Sequence, residues 1–180
     1  MFAVGVDVSH GRSTVAVLGA KRKVVMKPFE VPHTVDGFAS LAEKLNGLDG
    51  EVRIVMEHTC RYYESFAMSM YRAGFFVSAV NPLAIRDYQE GISVRKVKTD
   101  KADALKIAQF AIDKWEILPQ YTPMDTIRYN LKTLHRQFQL SSKTRTALNN
   151  NLIALLEQNY PGANRYFDSP VRPDATQKWV

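Results

Sequence analysis

Four carboxylates stand where folded chains gather chemistry. Asp7 lies within the apolar run Phe2 to Ser9, in which Val4, Val6 and Val8 alternate with Ala3, Gly5 and Asp7. An ionised carboxylate left unpaired inside such a strand costs roughly several kcal/mol. Glu57 closes the short apolar run Ile54-Val-Met-Glu57 in the same manner. The carboxyl ends of core strands are where open sheets with helical crossovers place ligands. Asp100 and Asp103 belong to Thr99-Asp-Lys-Ala-Asp103 and share one face of a helix, about 5–6 Å apart at Cβ. Their repulsion, ~0.2–0.5 kcal/mol, is nearly cancelled by the ~0.3–1 kcal/mol that acids gain in a first helical turn. Each acid therefore has a plain structural explanation by itself: a hydrogen-bonded strand end, a surface strand exit, an ordinary helix start. In combination they suit hard divalent cations, because Mg²⁺ prefers oxygen ligands and bridges substrate phosphates. Two such ions about 3.5–4 Å apart would activate one oxygen and stabilise the other in phosphodiester cleavage.

Other chemistries find less support. His10, His33, His58 and His135 are too scattered for a zinc site, Cys60 has no base partner nearby in sequence, and neither a P-loop nor Gly-x-Gly-x-x-Gly occurs. One cysteine in 180 residues excludes a disulfide framework and fits a reducing compartment. Hydrophobic residues make up 46% of the chain, enough for a core, yet no run is long enough to span a bilayer. The net charge of +6 is uneven: residues 1–120 carry +2 and residues 121–180 carry +4. Arg95, Lys96, Lys98 and Lys101 flank the paired aspartates, and Arg128, Lys132, Arg136, Lys143 and Arg145 occupy a stretch without acids between Asp125 and Glu157. Both groups suit phosphate contacts that position nucleic acid without reading its sequence; both also fit solvated basic faces.

The elements that must position these residues follow from periodicity and punctuation. Three strands are expected within the first 31 residues, then a helix capped by Thr34, a strand to Glu57, a helix over 62–71 stopped by Gly74, and a strand to Val80. Asn81-Pro82 starts another helix, and Thr99 caps one running to about Trp115. Three consecutive strands followed by strand–helix alternation predict an α/β fold: a mixed sheet flanked by helices. Residues 1–118 form this domain, and the proline-bearing 119–124 a linker. Thr122-Pro-Met-Asp125 has a capping-box shape with proline at the first helical position. Ile127, Leu131, Leu134, Phe138, Ser141, Arg145, Leu148, Leu152 and Leu155 then alternate at steps of four and three. That is a coiled-coil seam over 125–159, with Ser141 and Arg145 as polar interruptions; a helix packed on its own domain is the alternative. An irregular tail follows over 160–180.

Gly5-Val-Asp-Val-Ser9, Met56-Glu57-His-Thr59, Asn81-Pro82 and Lys98-Thr-Asp-Lys-Ala-Asp-Ala104 together resemble the DEDD transposases of insertion-sequence family 110, relatives of the Piv and MooV invertases. The resemblance covers roughly residues 3–115, and its most specific element is Lys-Thr-Asp-x-x-Asp-Ala. It implies an RNase H-like, RuvC-like fold in which Asp7, Glu57, Asp100 and Asp103 are catalytic and bind Mg²⁺ or Mn²⁺. It further implies DNA as substrate, a structured non-coding guide RNA, a homodimer or higher oligomer joined through the coiled coil, and a cytoplasmic, nucleoid-associated bacterial protein. His10 departs from the lysine common after the first aspartate element, and Cys60 from a common glycine. The family's nucleophilic serine belongs to a carboxyl-terminal domain beyond the tail, so these residues are expected to hold half of an active site and not to complete strand exchange alone. Two other functions remain open: a non-catalytic coiled-coil module binding nucleic acid, and an actin-like or sugar-kinase-like phosphotransferase. The latter's phosphate loop wants a glycine soon after the first aspartate, where Val8-Ser9-His10 intervenes.

Overall fold

The structure, a computed structural model, describes residues 1–58, 61–90 and 99–162, with backbone alone at 89 and 90. The first unit, Met1–Pro123, is built on one five-stranded sheet. Its strands are β1 (Phe2–Val8), β2 (Arg12–Gly19), β3 (Val24–Pro32), β4 (Val52–Glu57) and β5 (Phe76–Val80), in the order β3-β2-β1-β4-β5. The β1–β2–β3 meander is antiparallel, whereas β4 and β5 run parallel to β1. The parallel pairs need crossovers, supplied by α1 (Val35–Asn46) and α2 (Tyr62–Arg72); α3 (Pro82–Glu90) and α4 (Asp100–Asp113) follow β5.

Period-two alternation gives the sheet two chemically different faces. On one, Val4, Val6, Val15, Val17, Ile54, Met56 and Val77 are buried beneath Leu41 and Leu45 of α1 and Phe66, Ala67 and Met70 of α2. On the other, Ala3, Val55 and Val80 pack against Ile85 of α3 and Ile107, Phe110 and Ala111 of α4, closed off by Trp115 and Leu118. The second face is small in β1, Ala3 and Gly5 against the valines behind, and this lets a helix come close.

Side chains start the helices where the sequence indicates. Thr34 Oγ1 accepts the Gly37 N–H at 3.1 Å, Asn81 Oδ1 the Leu83 N–H at 3.0 Å, and Thr99 Oγ1 the Ala102 N–H at 3.2 Å. The expected cap at Thr122 is not formed. The Tyr121 N–H donates to the Val77 carbonyl at 2.7 Å, and Leu118 and Tyr121 join the core, which keeps the chain extended to that point. The cap falls instead on Asp125, whose carboxylate accepts the Arg128 N–H at 3.2 Å.

The second unit begins at Met124 and contains α5 (Thr126–Asn159), 34 residues with none buried. The apolar members of its expected seam, Ile127, Leu131, Leu134, Phe138, Leu148, Leu152 and Leu155, are all exposed. Beyond Gly162 the expected irregular tail lies outside the described residues. Among the described residues no helix is long and apolar enough to cross a membrane.

Candidate functional site

Asp7 is the penultimate residue of β1 and Glu57 the last of β4. The two strands are registered through Val6–Met56, so the acids stand one position further along on adjacent parallel strands. Asp7 alternates with Ala3 and Gly5, and Glu57 with Val55. Both belong to the sheet face covered by α4. Each is half-buried, and Asp7 is paired in register with buried Thr14 of β2.

The third element, α4, reaches this place because position 5 lacks a side chain. A Cβ on Gly5 would lie 2.1 Å from the Ala104 carbonyl oxygen, 2.3 Å from the Ala108 nitrogen and 2.9 Å from the Ala108 Cα. The helix backbone therefore rests directly on the strand backbone, a close approach that only glycine permits. Ala104 and Ala108 lie over Gly5 while Ile107 and Ala111 cluster with Ala3, so α4 runs against β1. Its first turn, with Asp100 and Asp103, is directed toward the carboxyl end of β1, the end that bears Asp7.

Within that turn Asp103 accepts an ion-paired hydrogen bond from Lys106 Nζ at 2.8 Å, both side chains about one-quarter exposed. Asp100 and Lys101 are exposed. Arg95, Lys96 and Lys98 lie outside the described residues, as do Thr59 and Cys60. Among the described residues, no three His, Cys, Asp or Glu side chains are grouped closely enough to hold a metal ion in this conformation. The backbone thus directs four hard oxygen donors, all acids, to one end of one sheet face; the donor set fits a divalent cation, and their side chains are not drawn together.

The opposite end of α4 is pinned by residues that sequence reading missed. Asp113 accepts hydrogen bonds from Arg22 Nη2 at 2.5 Å and Tyr88 Oη at 2.6 Å. Burial alone would raise the Asp113 carboxyl. The hydrogen bonds from Tyr88 and Arg22, with the charges of Arg22 and Lys114, outweigh it and hold the group below the ordinary value. Burial, then the bond to Asp113, pushes the Tyr88 hydroxyl up to about 12. Arg53 is stacked between the rings of Phe76 and Trp115, 4.6 and 4.4 Å from their centroids, and donates to the Trp115 carbonyl. Arg22 and Asp113 are 91 residues apart, and nothing local in the sequence links them. Gly5 and Lys106 did leave signals: a glycine inside a strand, and a lysine three residues after an aspartate.

Two histidines border the end of the sheet that bears Asp7. A ring nitrogen of His33 lies 2.7 Å from the hydroxyl of buried Ser13, and burial followed by the neighbouring His10 lowers the pKa of His33. His10 meets Tyr62 edge-on, with ring centroids 5.0 Å apart.

Comparison with solved structures supports the architecture. The chain is similar to Thermus thermophilus RuvC in complex with a Holliday junction substrate: TM-score 0.51, 14% identity, 67% of this chain and 99% of that one. It is also similar to a second T. thermophilus RuvC structure: TM-score 0.50, 14% identity, 67% of this chain and 100% of that one. At such identity the likeness establishes the RuvC-like fold. No curated protein matches the chain. Residues 4–161, nearly the whole of what the structure describes, match the family described as the DEDD transposase of insertion sequence 110, and the chain belongs to that family.

Proposed function

We propose that the first unit is the metal-binding half of a DNA-cleaving recombinase, with Asp7, Glu57, Asp100 and Asp103 as its catalytic carboxylates. The reading rests on one observation above the others: Asp7 and Glu57 end adjacent parallel strands on the face that α4 covers, and α4 starts with Asp100 and Asp103. Mg²⁺ or Mn²⁺ bound there would supply a Lewis acid for phosphodiester cleavage. The protein's own part is to hold the acids in position. Asp7 and Glu57 are fixed by the strand ladder, and Asp100 and Asp103 by a capped helix turn seated on Gly5. Lys106 offsets the charge of Asp103 before a cation arrives, and Lys101, with Arg95, Lys96 and Lys98, meets substrate phosphates.

Family membership and the exposed seam of α5 support the following reading of the partners. DNA is the substrate, a structured non-coding RNA guides it, and a carboxyl-terminal domain with a nucleophilic serine completes strand exchange. The exposed apolar seam of α5 joins copies of the chain into a dimer or higher oligomer, and the outer face of α5 adds contacts to nucleic acid.

Calorimetric titration of the 180-residue chain with Mg²⁺ and with Mn²⁺ tests the metal assignment. Uptake is expected in the unaltered protein and is expected to vanish in Asp7→Ala and Asp103→Ala. Equal uptake by the altered proteins would remove the four acids from the proposed role.

A further inference from the structure

The cations of α5 do not form one group. With about 100° between successive helix residues, Leu131, Leu134, Phe138, Leu148 and Leu152 fall within about 60° of Ile127 around the axis. Arg145 falls on that seam, in line with Ile127. Arg128, Lys132, Arg136 and Lys143 fall between about 100° and 180° from it, on the far side of the helix. Arg128, Lys132 and Lys143 are exposed and Arg136 is half-exposed. Among the described residues none of the four is ion-paired with a carboxylate, and no acid occurs between Asp125 and Glu157.

We infer that these four residues, without Arg145, form a linear track for the phosphodiester backbone of a nucleic-acid duplex, on the face of α5 opposite its apolar seam. A 1.5 Å rise per residue sets Arg128 and Lys143 about 22 Å apart, or about six to seven duplex steps of 3.4 Å. A helix face of single-sign charge over that length matches an extended polyanion better than a compact one. Because track and seam point in opposite directions, a second helix on the seam leaves the track open. The same opposition argues against an anionic membrane. A helix lying in a bilayer surface sinks its apolar face, and these cations would then point away from the lipid, with Arg145 driven into it. The track rests on the proposed contact of the outer face of α5 with nucleic acid; it is independent of the four acids, so it stands or falls apart from the metal site.

The test is the salt dependence of binding by the full chain, measured by fluorescence anisotropy in chelator, without divalent ions, on a DNA duplex and on an RNA duplex. Each phosphate contact contributes about 0.9 to the slope of log K against log salt for B-form DNA. The variant R128Q/K132Q/R136Q/K143Q is expected to flatten the slope by about 3 to 4, and R145Q to leave it unchanged. Glutamine is a good helix former, and circular dichroism checks that α5 persists. Should the fourfold variant fail to fold, K132Q and R136Q singly are each expected to flatten the slope by about 0.9. Whichever duplex shows the flattening is the source of the phosphates. An unchanged slope in the stripe variants, an equal flattening in R145Q, or stripe-dependent binding to phosphatidylserine vesicles in place of duplexes would overturn the inference.

Discussion

Replacing Gly5 with alanine adds a single methyl group at the tightest helix–strand contact that bears on the candidate site. The new carbon would lie 2.1 Å from the Ala104 oxygen and 2.3 Å from the Ala108 nitrogen. Comfortable contact between such atoms begins near 3.3–3.5 Å, so α4 must lift by about 1 Å. The obstructing atoms are backbone, and no change of rotamer relieves them. Overpacking of this kind costs about 1–3 kcal/mol, read as a lower urea midpoint with an unchanged m-value. The functional effect is expected to be larger than the loss of stability suggests. Lifting α4 moves Asp100 and Asp103 away from Asp7, and misplacement of about 1 Å at a reacting centre can cost about 10²-fold. Gly74→Ala is the control: Gly74 has φ +89° in open space beyond the end of α2, so alanine there brings about 1–2 kcal/mol of backbone strain and touches nothing. Calorimetry with Mn²⁺ should show a strongly weakened site in Gly5→Ala and an unaltered one in Gly74→Ala. If both bind Mn²⁺ like the unaltered protein, the close contact at Gly5 does not position the acids and the reasoning fails.

Four further outcomes are expected. Asp113 is held below its ordinary pKa, so its contribution to stability is present above about pH 4 and lost as pH falls through the depressed folded value. The gap in urea midpoint between the unaltered protein and Asp113→Asn should therefore close in acid, and a gap that widens there refutes the assignment. Tyr88 is raised to about 12, so its contribution is complete below about pH 10 and disappears as pH climbs through 12; Tyr88→Phe should lose less stability over that alkaline interval. Ser78 is fully buried on β5 and its hydroxyl has no hydrogen-bond partner among the described residues, so Ser78→Ala should raise stability by about 1 kcal/mol, seen as a higher urea midpoint; a clear loss would point to a partner for that oxygen. Phe138→Asp places a charge in the exposed seam of α5, and light scattering should report a lower mass without loss of the sheet domain; an unchanged mass would exclude the seam as the joining surface.

The fold was legible to the extent that its causes are local. Alternating valines in β1, the Thr34 and Thr99 caps, Asn81-Pro82 and Gly74 act over a few residues, and each element they announce is present. The helix over 125–159 was legible from its heptads, but the capping-box signal at Thr122 goes unused because the deciding interaction is not local. Tyr121 is held by β5, more than forty residues earlier, and the helix waits for Asp125. At the candidate site, residue types and motif spacing single out the acids, but it is the Val6–Met56 register of β1 and β4 that puts Asp7 and Glu57 on one face. What sequence does not convey is how α4 reaches them. That depends on a missing Cβ at Gly5, and on Arg22, Tyr88 and Asp113 meeting at the far end of the helix from three separate elements.

The most direct measurement is a crystal structure of the chain grown with Mn²⁺, with the ion located by its anomalous scattering. The account predicts manganese at the carboxyl ends of β1 and β4, within about 2.0–2.3 Å of carboxylate oxygens from Asp7 and from the first turn of α4. Manganese bound elsewhere, with Asp7, Glu57, Asp100 and Asp103 still apart, would contradict it.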